Sequence, residues 1–366
     1  MIVEKVHMKN FRNYATLAMS FDGGVHLFSG FNAQGKTNLL EAIFLSAMGK
    51  SFRTGHDEEL IGWEASESSV DIVFSNKVAV HELSFLFLRG EGRENKLNGR
   101  IVRKKDIIGL MNAVLFSPED LWLVKGNPSA RRRFIDFELS QSDPLYYHDL
   151  IKYNRVLIQR NQLLKKINEG SENCKLLEPW DDQLISLAVK VVLGRIRRIK
   201  RLNFEASMIH GKVTGGAEEF SARYFIFGEN NMVETEYEDW YRKKTLLNRT
   251  KDIMHGTTDF GPHKDDIIFL INGHDAKTFA SQGQQRTIVL ALKMAEIEIM
   301  KQITGEYPVL LLDDVMSELD GKRKEKLIES ITGKVQTFIT GTEEMDCLRS
   351  VNHNCYYIND GHVYSK

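Results

Sequence analysis

The sequence predicts an α/β fold whose two halves lie at opposite ends of the chain, with a mainly helical lobe inserted between them. Three observations predict it. A strand, a glycine-rich loop and a helix follow one another over Val25–Met48. A charge-rich region with helical spacing then fills the middle. Strands and helices alternate again in the last third, where the apolar strand Val309–Leu312 ends on two carboxylates. The expected boundaries are 1–118 and 251–366 for a discontinuous head, and 119–250 for the lobe.

The elements follow in order. Ile2–Met8, Thr16–Phe21 and Val25–Ser29 are short extended runs bounded by turn residues. Helical spacing takes over in Thr37–Met48. From Ser69 to Val102 strand patterns return as VDIVFS, HELSFLFLR and KLNGRIV, and the Asn98-Gly99 pair signals a type I′ hairpin. An antiparallel meander is expected there. In the middle, Tyr146, Leu150, Tyr153, Leu157, Leu164 and Ile167 form one stripe. After a loop, Ile185, Val189, Val192, Ile196 and Ile199 recur at steps of four and three, a heptad-like seam. Two such helices joined by a short loop predict an antiparallel helical hairpin. Phe220–Phe227 reads as a strand that either part could own. The last third reads as a strand Ile267–Asn272, a long helix Gln282–Ile303, the buried strand Val309–Leu312 and a helix Asp320–Ile331. A strand Val335–Thr340, a further helix and a final strand Cys355–Ile358 close the chain.

Bulk properties narrow the function. Hydrophobic residues make up 42% and charged residues 27% of 366 positions, with a net charge of -1. There is no general cationic field, so any nucleic-acid binding rests on local patches. Cys174, Cys347 and Cys355 are scattered, which fits a reducing cytosol and argues against zinc or a disulfide framework. No apolar run suggests export or membrane spanning, so a cytoplasmic protein is expected.

Gly30-Phe31-Asn32-Ala33-Gln34-Gly35-Lys36-Thr37 matches the phosphate-loop pattern GxxxxGK[ST] in full, between a strand and a helix. Glycines let backbone wrap the phosphates, and free N–H groups at the helix start, Asn38 included, point at them. Lys36 supplies charge to the β- and γ-phosphates, and the Thr37 hydroxyl ligates Mg²⁺. ATP and Mg²⁺ are therefore the expected ligands. Far downstream, Asp313 and Asp314 end the apolar strand, where an open α/β sheet presents ligand-binding groups. Asp313 is expected to hold Mg²⁺ through its water shell. Asp314 is expected to orient or deprotonate the attacking water.

Ala280–Arg286 opens the long helix and resembles the Leu-Ser-Gly-Gly-Gln signature of ABC-type ATPases. Ser281, Gly283 and Gln284 fall on the signature's Ser, second Gly and Gln. Ala280 and Gln282 depart from it. Ser317-Glu318-Leu319-Asp320 resembles the D-loop of the same class. This order implies an ABC-type ATPase head with an antiparallel β-subdomain. In such heads the signature of one subunit completes the ATP site of its partner, so an ATP-dependent homodimer with two-fold symmetry is implied.

The longer run of motifs resembles the RecF family of bacterial recombination proteins. The matching residues are Asn10–Tyr14, the phosphate loop, Lys50–Thr54, Phe116–Asp120, Arg131–Phe134, Gly261–Asp266 and Ser281–Arg286, followed by the carboxylate and D-loop run. Lys264, often arginine in that family, is a mild departure. The resemblance implies a relative of structural-maintenance-of-chromosomes heads without the long coiled coil. It further implies a cytoplasmic protein that binds double-stranded or gapped DNA, with RecR and RecO as mediators, in replication, repair and the SOS response.

The same resemblance places Arg12 and Asn13 near the base or α-phosphate, with a solvated turn as the alternative. Arg53 sits where related heads place a DNA-contacting arginine, or it makes a surface ion pair. His263, Asp265 and Asp266 either sense nucleotide or cap a turn. Ser117-Pro118 stands where related heads carry a glutamine, and Thr340–Thr342 where transporters carry a switch histidine. Among the basic runs, Arg131 and Arg132 are candidates for DNA, and Lys190, Arg197 and Arg201 share a helix face. Such a stripe suits phosphate contacts, although a solvated face looks the same. Asp314 stands where transporter cassettes have glutamate, which predicts slow, weak hydrolysis stimulated by DNA. A membrane-transporter ATPase subunit is the rival expectation. A glutamate at 314 and a histidine near 341 would mark it, and neither is present.

Overall fold

The structure is a computed structural model that describes residues 1–227, 234–342, 346–349 and 351–365. The chain divides into two compact units. The first comprises Met1–Leu121, Met208–Glu218 and Ser281–Lys366. The second comprises Trp122–Ser207 and Glu219–Ala280.

The first unit holds two six-stranded sheets. One is the expected meander, ordered Tyr14–Ser20, Ile2–Phe11, Glu67–Ser75, Val80–Leu88, Gly92–Leu97 and Arg100–Ile101, all antiparallel. Its tight hairpin has Asn98 and Gly99 both at positive φ, as a type I′ turn requires. The second is ordered His362–Ser365, His353–Asn359, Val25–Ser29, Thr337–Gly341, Val309–Leu312 and Ala113–Phe116. Only the His362–Ser365 pairing in it is antiparallel. Alternation along Glu67–Ser75 buries every second residue, whereas Val25–Ser29 and Val309–Leu312 are buried throughout. That is the difference between a half-covered and a doubly covered strand.

The helix Lys36–Met48 packs on strands of both sheets. It is buried on almost every side, which explains why its sequence lacks an apolar stripe. The amide of Gln336 stitches the two sheets together. Its Oε1 accepts from Val3 N (2.7 Å) and its Nε2 donates to Val3 O (2.8 Å).

The second unit is mainly helical, with Pro128–Ser142, Pro144–Asn168, most of Glu178–Thr214, and Tyr237–His255. The expected hairpin is present. Tyr146 lies under Gly194, Asp149 pairs with Lys190 and Arg160 with Asp181, so the helices run in opposite directions. The seam is rotated from the expected one. Ile185, Val192 and Ile199 are buried, but so are Ala188, Val191, Arg195 and Arg198, whereas Val189 and Ile196 are only half-buried.

The compact division also corrects the expected boundary at 251. Residues 251–280 cluster with the helical unit, because Asp266–Ile271 pairs with Phe220–Phe225 and the helix Pro128–Ser142 packs on it. The ambiguous strand therefore belongs to the second unit. The further helix expected after Thr340 falls partly on residues 343–345 and 350, outside the described residues. Asp346–Leu348 forms a single 3₁₀ turn. No helix among the described residues is long and apolar enough to cross a membrane.

Candidate nucleotide site

Three neighbouring parallel strands build the site. Val25–Ser29, Thr337–Gly341 and Val309–Leu312 lie side by side, so their C-terminal ends bring Gly30, Gly341 and Asp313 to one edge. From the first strand the chain turns through the phosphate loop. Gly30 has φ 151°, and a Cβ there would stand 2.3 Å from the Ile358 carbonyl oxygen. Gly35 has φ 112°, and a Cβ would meet the Asn13 amide at 2.7 Å. Both positions therefore need glycine for closeness as well as for dihedral freedom. Ala33 is also left-handed, at φ 64°.

The loop is held from outside by its own neighbours. Asn13 Nδ2 donates to Gln34 O (3.0 Å), and Asn38 Nδ2 donates to Asn13 Oδ1 (2.7 Å). Tyr14 OH donates to Gly35 O, and the Gln34 amide oxygen accepts from Asp360 N. Phe31 and Asn32 are exposed at the tip. Lys36 is buried, and its Nζ donates to the carbonyls of Gly30 (2.8 Å) and Phe31 (2.9 Å). The ammonium is thereby parked inside the loop's own curve.

Thr37 Oγ1 donates to Asp313 Oδ1 at 2.8 Å. Thr340 Oγ1 reaches the same oxygen at 2.9 Å and accepts from Asp314 N at 2.8 Å. Burial pushes the Asp313 carboxyl above its ordinary value, against the two hydroxyls that lower it. A hard divalent cation takes oxygen ligands. The adjoining Thr37 hydroxyl and Asp313 carboxylate fit that demand. Asp314 follows with φ 51°, a left-handed aspartate at the strand tip. Ser117 comes directly after Ala113–Phe116, the strand beside Val309–Leu312, and its N–H donates to Asp120.

Glu41 is a residue that sequence reasoning passed over. It lies one turn beyond Thr37 on the loop helix and is fully buried. Its two oxygens take Arg12 Nε (3.0 Å) and Nη2 (2.7 Å), and Ser51 Oγ also donates to it. Arg53 Nη1 donates to Asn38 Oδ1 (2.7 Å) and stands 3.5 Å from Glu41. Arg12 spends a further donor on Glu59 O. A carboxylate among the apolar residues Leu39 to Leu45 was the signal available. Its partners were not.

The signature residues form a helix start. Ser281 is exposed and caps Gln282–Thr304, with a reciprocal capping box between Ser281 and Gln284.

Comparison with known proteins agrees with this geometry. The RecF/RecN/SMC N terminal domain model matches residues 2–360. The "DNA replication and repair protein RecF" of Enterococcus faecalis is 41% identical, over 99% of this chain and 98% of its own. The chain belongs to the RecF family. The Exiguobacterium sp. protein of the same name is 43% identical, over 93% and 92% of the two chains. A solved structure described as the recombination mediator protein RecF with ATP, in the RecFOR pathway, superposes with a TM-score of 0.93. It is 35% identical and covers 100% of this chain and 97% of its own. An Smc head at 17% identity and TM-score 0.57, covering 100% of this chain and 98% of its own, shares the fold. The fold is therefore that of an ABC-type ATPase head carrying a helical lobe, and the transporter expectation draws no support from these relatives.

For the RecF-family chain the basic candidates divide. Arg131 is a correction. It is buried, with a two-point pair to Asp266 (2.7 and 2.9 Å) and bonds to the carbonyls of Leu123 and Gly126. Arg132 is half-buried and donates to Asp265 O. Both brace the second unit. Arg195 and Arg198, from the same basic run as Lys190, are buried against Asp136 and Glu138. Lys190 and Arg197 are exposed, near Asp149 and Glu234 respectively, and Arg201 is half-buried.

The cluster at Gly261–Asp266 is likewise structural. Asp265 accepts from Tyr224 OH and Phe227 N, and burial pushes its carboxyl up to about 6. Tyr153 OH donates to His263 Nδ1, while Nε2–H donates to Thr258 O. Burial lowers that imidazole to about 4, so it is neutral at physiological pH.

Proposed function

We propose that this RecF-family chain is an ATP-gated, DNA-binding clamp. It acts in the cytoplasm in the repair of gapped DNA, in replication and in the SOS response, with RecR and RecO as mediators. The observation that carries this reading is the closed pair Thr37–Asp313 beneath a complete phosphate loop. The names of the relatives, DNA replication and repair protein and recombination mediator, support the biological setting.

Each group has a task in this reading. Lys36 leaves the loop carbonyls for the β- and γ-phosphates, since a phosphate oxygen is a stronger acceptor for an ammonium than a carbonyl. The N–H groups of residues 30 to 38 cradle the phosphates. Thr37 and Asp313 hold Mg²⁺, which when bound neutralises phosphate charge. Asp314 orients the attacking water. Aspartate is one methylene shorter than glutamate, about 1.5 Å of chain. A misplacement of ~1 Å can cost ~10²-fold. Hydrolysis is therefore slow and weak, stimulated by DNA, and serves as a switch. Turnover of tens per second with DNA present would sink this idea.

Asn13 lies against the loop and reaches Gln34 O, and Arg12 beside it pairs with Glu41 on the loop helix, which supports a nucleotide role for that turn. Ser281, Gly283 and Gln284 complete the partner's site in a two-fold dimer. DNA phosphates meet Arg53, Lys190, Arg197 and Arg201. Arg53 hydrogen bonds to Asn38, next to the metal-binding Thr37, so phosphate contact there reaches the loop. Affinity should then fall as salt rises.

The deciding experiment is sedimentation of the chain with ATP, with ADP, and as Ser281→Arg with ATP. Dimers are expected with ATP alone and only for the unaltered chain. A monomer under all three conditions would refute the clamp.

A further inference from the structure

Ser281–Gln284 and Ser317–Asp320 lie on separate elements, yet two arginines lace them together. Arg286, in the first turns of the signature helix, reaches Glu318 of the D-loop at 2.7 Å. Arg323, in the first turn of the helix Gly321–Ile331, reaches the other way. Its Nη2 donates to Gly283 O (3.0 Å) and Thr287 Oγ1 (2.7 Å), and its Nε donates to Thr287 Oγ1 (2.9 Å). Its Nη1 pairs with Asp320, which caps the same helix. Thr287 is buried, and its hydroxyl donates back to Gly283 O. Gln284 is fixed in turn by Nε2 donating to Glu218 Oε1 (3.0 Å). Ser317 Oγ donates to Asp314 O, so the D-loop is also tied to the carboxylate strand.

We infer that Arg323 is a positioning residue, which makes the signature and the D-loop one rigid surface for the partner's nucleotide. This rests on the dimer reading above. The backbone carbonyl of Gly283 is held within its own helix by the Thr287 hydroxyl, and Arg323 is what ties it to the D-loop side. A guanidinium suits the task. It is planar, with five donors, and serves a carbonyl, a hydroxyl and a carboxylate at once. Without it the half-exposed Arg286–Glu318 pair is left to join the two loops, and ordering them costs part of the binding energy.

The test compares the full chain with Arg323→Met, which keeps bulk and removes the donors, and Thr287→Val, which removes the hydroxyl they reach. Three quantities are measured: the ATP concentration for half-maximal dimerisation by sedimentation, binding of a fluorescent ATP analogue to dilute monomer, and the melting temperature. Both variants should need ~10-fold or more ATP to dimerise, the range lost with a hydrogen bond to a charged group. Binding to the monomer should stay unchanged, which a general loss of folding would not allow. Arg323→Lys should recover only part of the loss. If the unaltered chain dimerises and both variants dimerise at the same ATP concentration, the inference is overturned while the clamp stands. It is equally overturned if monomer binding weakens in step with dimerisation. Should Arg323→Met fail to fold, Thr287→Val decides alone. If the unaltered chain never dimerises with ATP, the clamp itself fails.

Discussion

Thr340 serves both carboxylate residues of the site, so Thr340→Val tests the site with a near-isosteric change. The side chain is fully buried. Its hydroxyl donates to Asp313 Oδ1 at 2.9 Å and accepts from Asp314 N at 2.8 Å. Valine keeps the shape and removes both bonds. Asp313 retains Thr37 at 2.8 Å, but the Asp314 N–H loses its acceptor. An unsatisfied buried donor costs ~1–3 kcal/mol, so a stability loss of about 2 kcal/mol is expected. Activity should suffer more. Asp314 sits at φ 51°, and the bond to its N–H fixes that backbone, and with it the aim of the carboxylate. A drift of ~1 Å is worth ~10²-fold in rate. Single-turnover ATP hydrolysis, nucleotide binding and urea denaturation should be measured on Thr340→Val and Thr340→Ser. Valine should slow hydrolysis by ~10- to 100-fold with ATP affinity changed only a few-fold, and serine should keep most of the rate. Valine that hydrolyses at the full rate after losing stability would show that the hydroxyl is structural and that Asp314 is aimed by something else.

Three further outcomes follow from the buried charges. Glu41→Ala leaves the largely buried Arg12 without its carboxylate and should cost ~3–5 kcal/mol in denaturation, with weaker ATP binding. A loss below ~1 kcal/mol would mean that Arg12 finds water instead. In the helical unit, Arg160 lies between Asp181 and Asp252, both at 2.8 Å. Arg160→Met leaves the buried Asp252 carboxyl without its cation and Asp181 with Arg249, and hydrogen exchange should reveal loosening of that unit by a comparable ~3–5 kcal/mol. His263 is held neutral with its pKa lowered from 6.5 to about 4. The unfolded chain binds the proton first as pH falls, so this stabilisation is complete above about 6.5 and drains away towards about 4. Its ceiling is about 3–4 kcal/mol, at ~1.4 kcal/mol per unit. His263→Gln should flatten the stability–pH curve over that window. Asp265, shifted the opposite way, is common to both proteins and cancels in the difference. Parallel curves would rule the histidine out.

The elements were legible where one local rule decides. The strand–loop–helix at Val25–Met48 is fixed by glycine spacing and came out within a residue. Asn98-Gly99 is fixed by turn chemistry, and Val309–Leu312 by apolarity on both faces. The basic residues were not legible, because a charge run reads the same whether solvated or paired. Arg195 and Arg198 fall at seam positions beside Val191 and Leu202, and the carboxylates of Asp136 and Glu138, on another helix, make that tolerable. Arg131 is likewise settled by Asp266, in a distant strand. Glu41 followed the same logic in the head: its meaning lies in Arg12, Ser51 and Arg53, none of them on its own helix. Periodicity reports which face a residue occupies. It does not report what waits on that face.

This difference explains why the phosphate loop could be recognised while its support could not. The loop's chemistry is carried by backbone N–H groups, a lysine and a threonine in fixed sequence order, so the motif and the mechanism coincide. The support is carried by single groups from four places. Asn13 comes from the first hairpin, Glu41 from the loop helix, and Thr340 and the Ile358 carbonyl from the strands on either side. They meet only because Val25–Ser29 lies between His353–Asn359 and Thr337–Gly341 in the sheet. Strand order, which no local pattern encodes, thus decides whether Gly30 to Thr37 is a turn that tolerates phosphate or a site built to bind it. Close approach of the Ile358 carbonyl to Gly30 and of the Thr340 hydroxyl to Asp313 holds the loop and the facing carboxylate in place, which supports the proposed phosphate site.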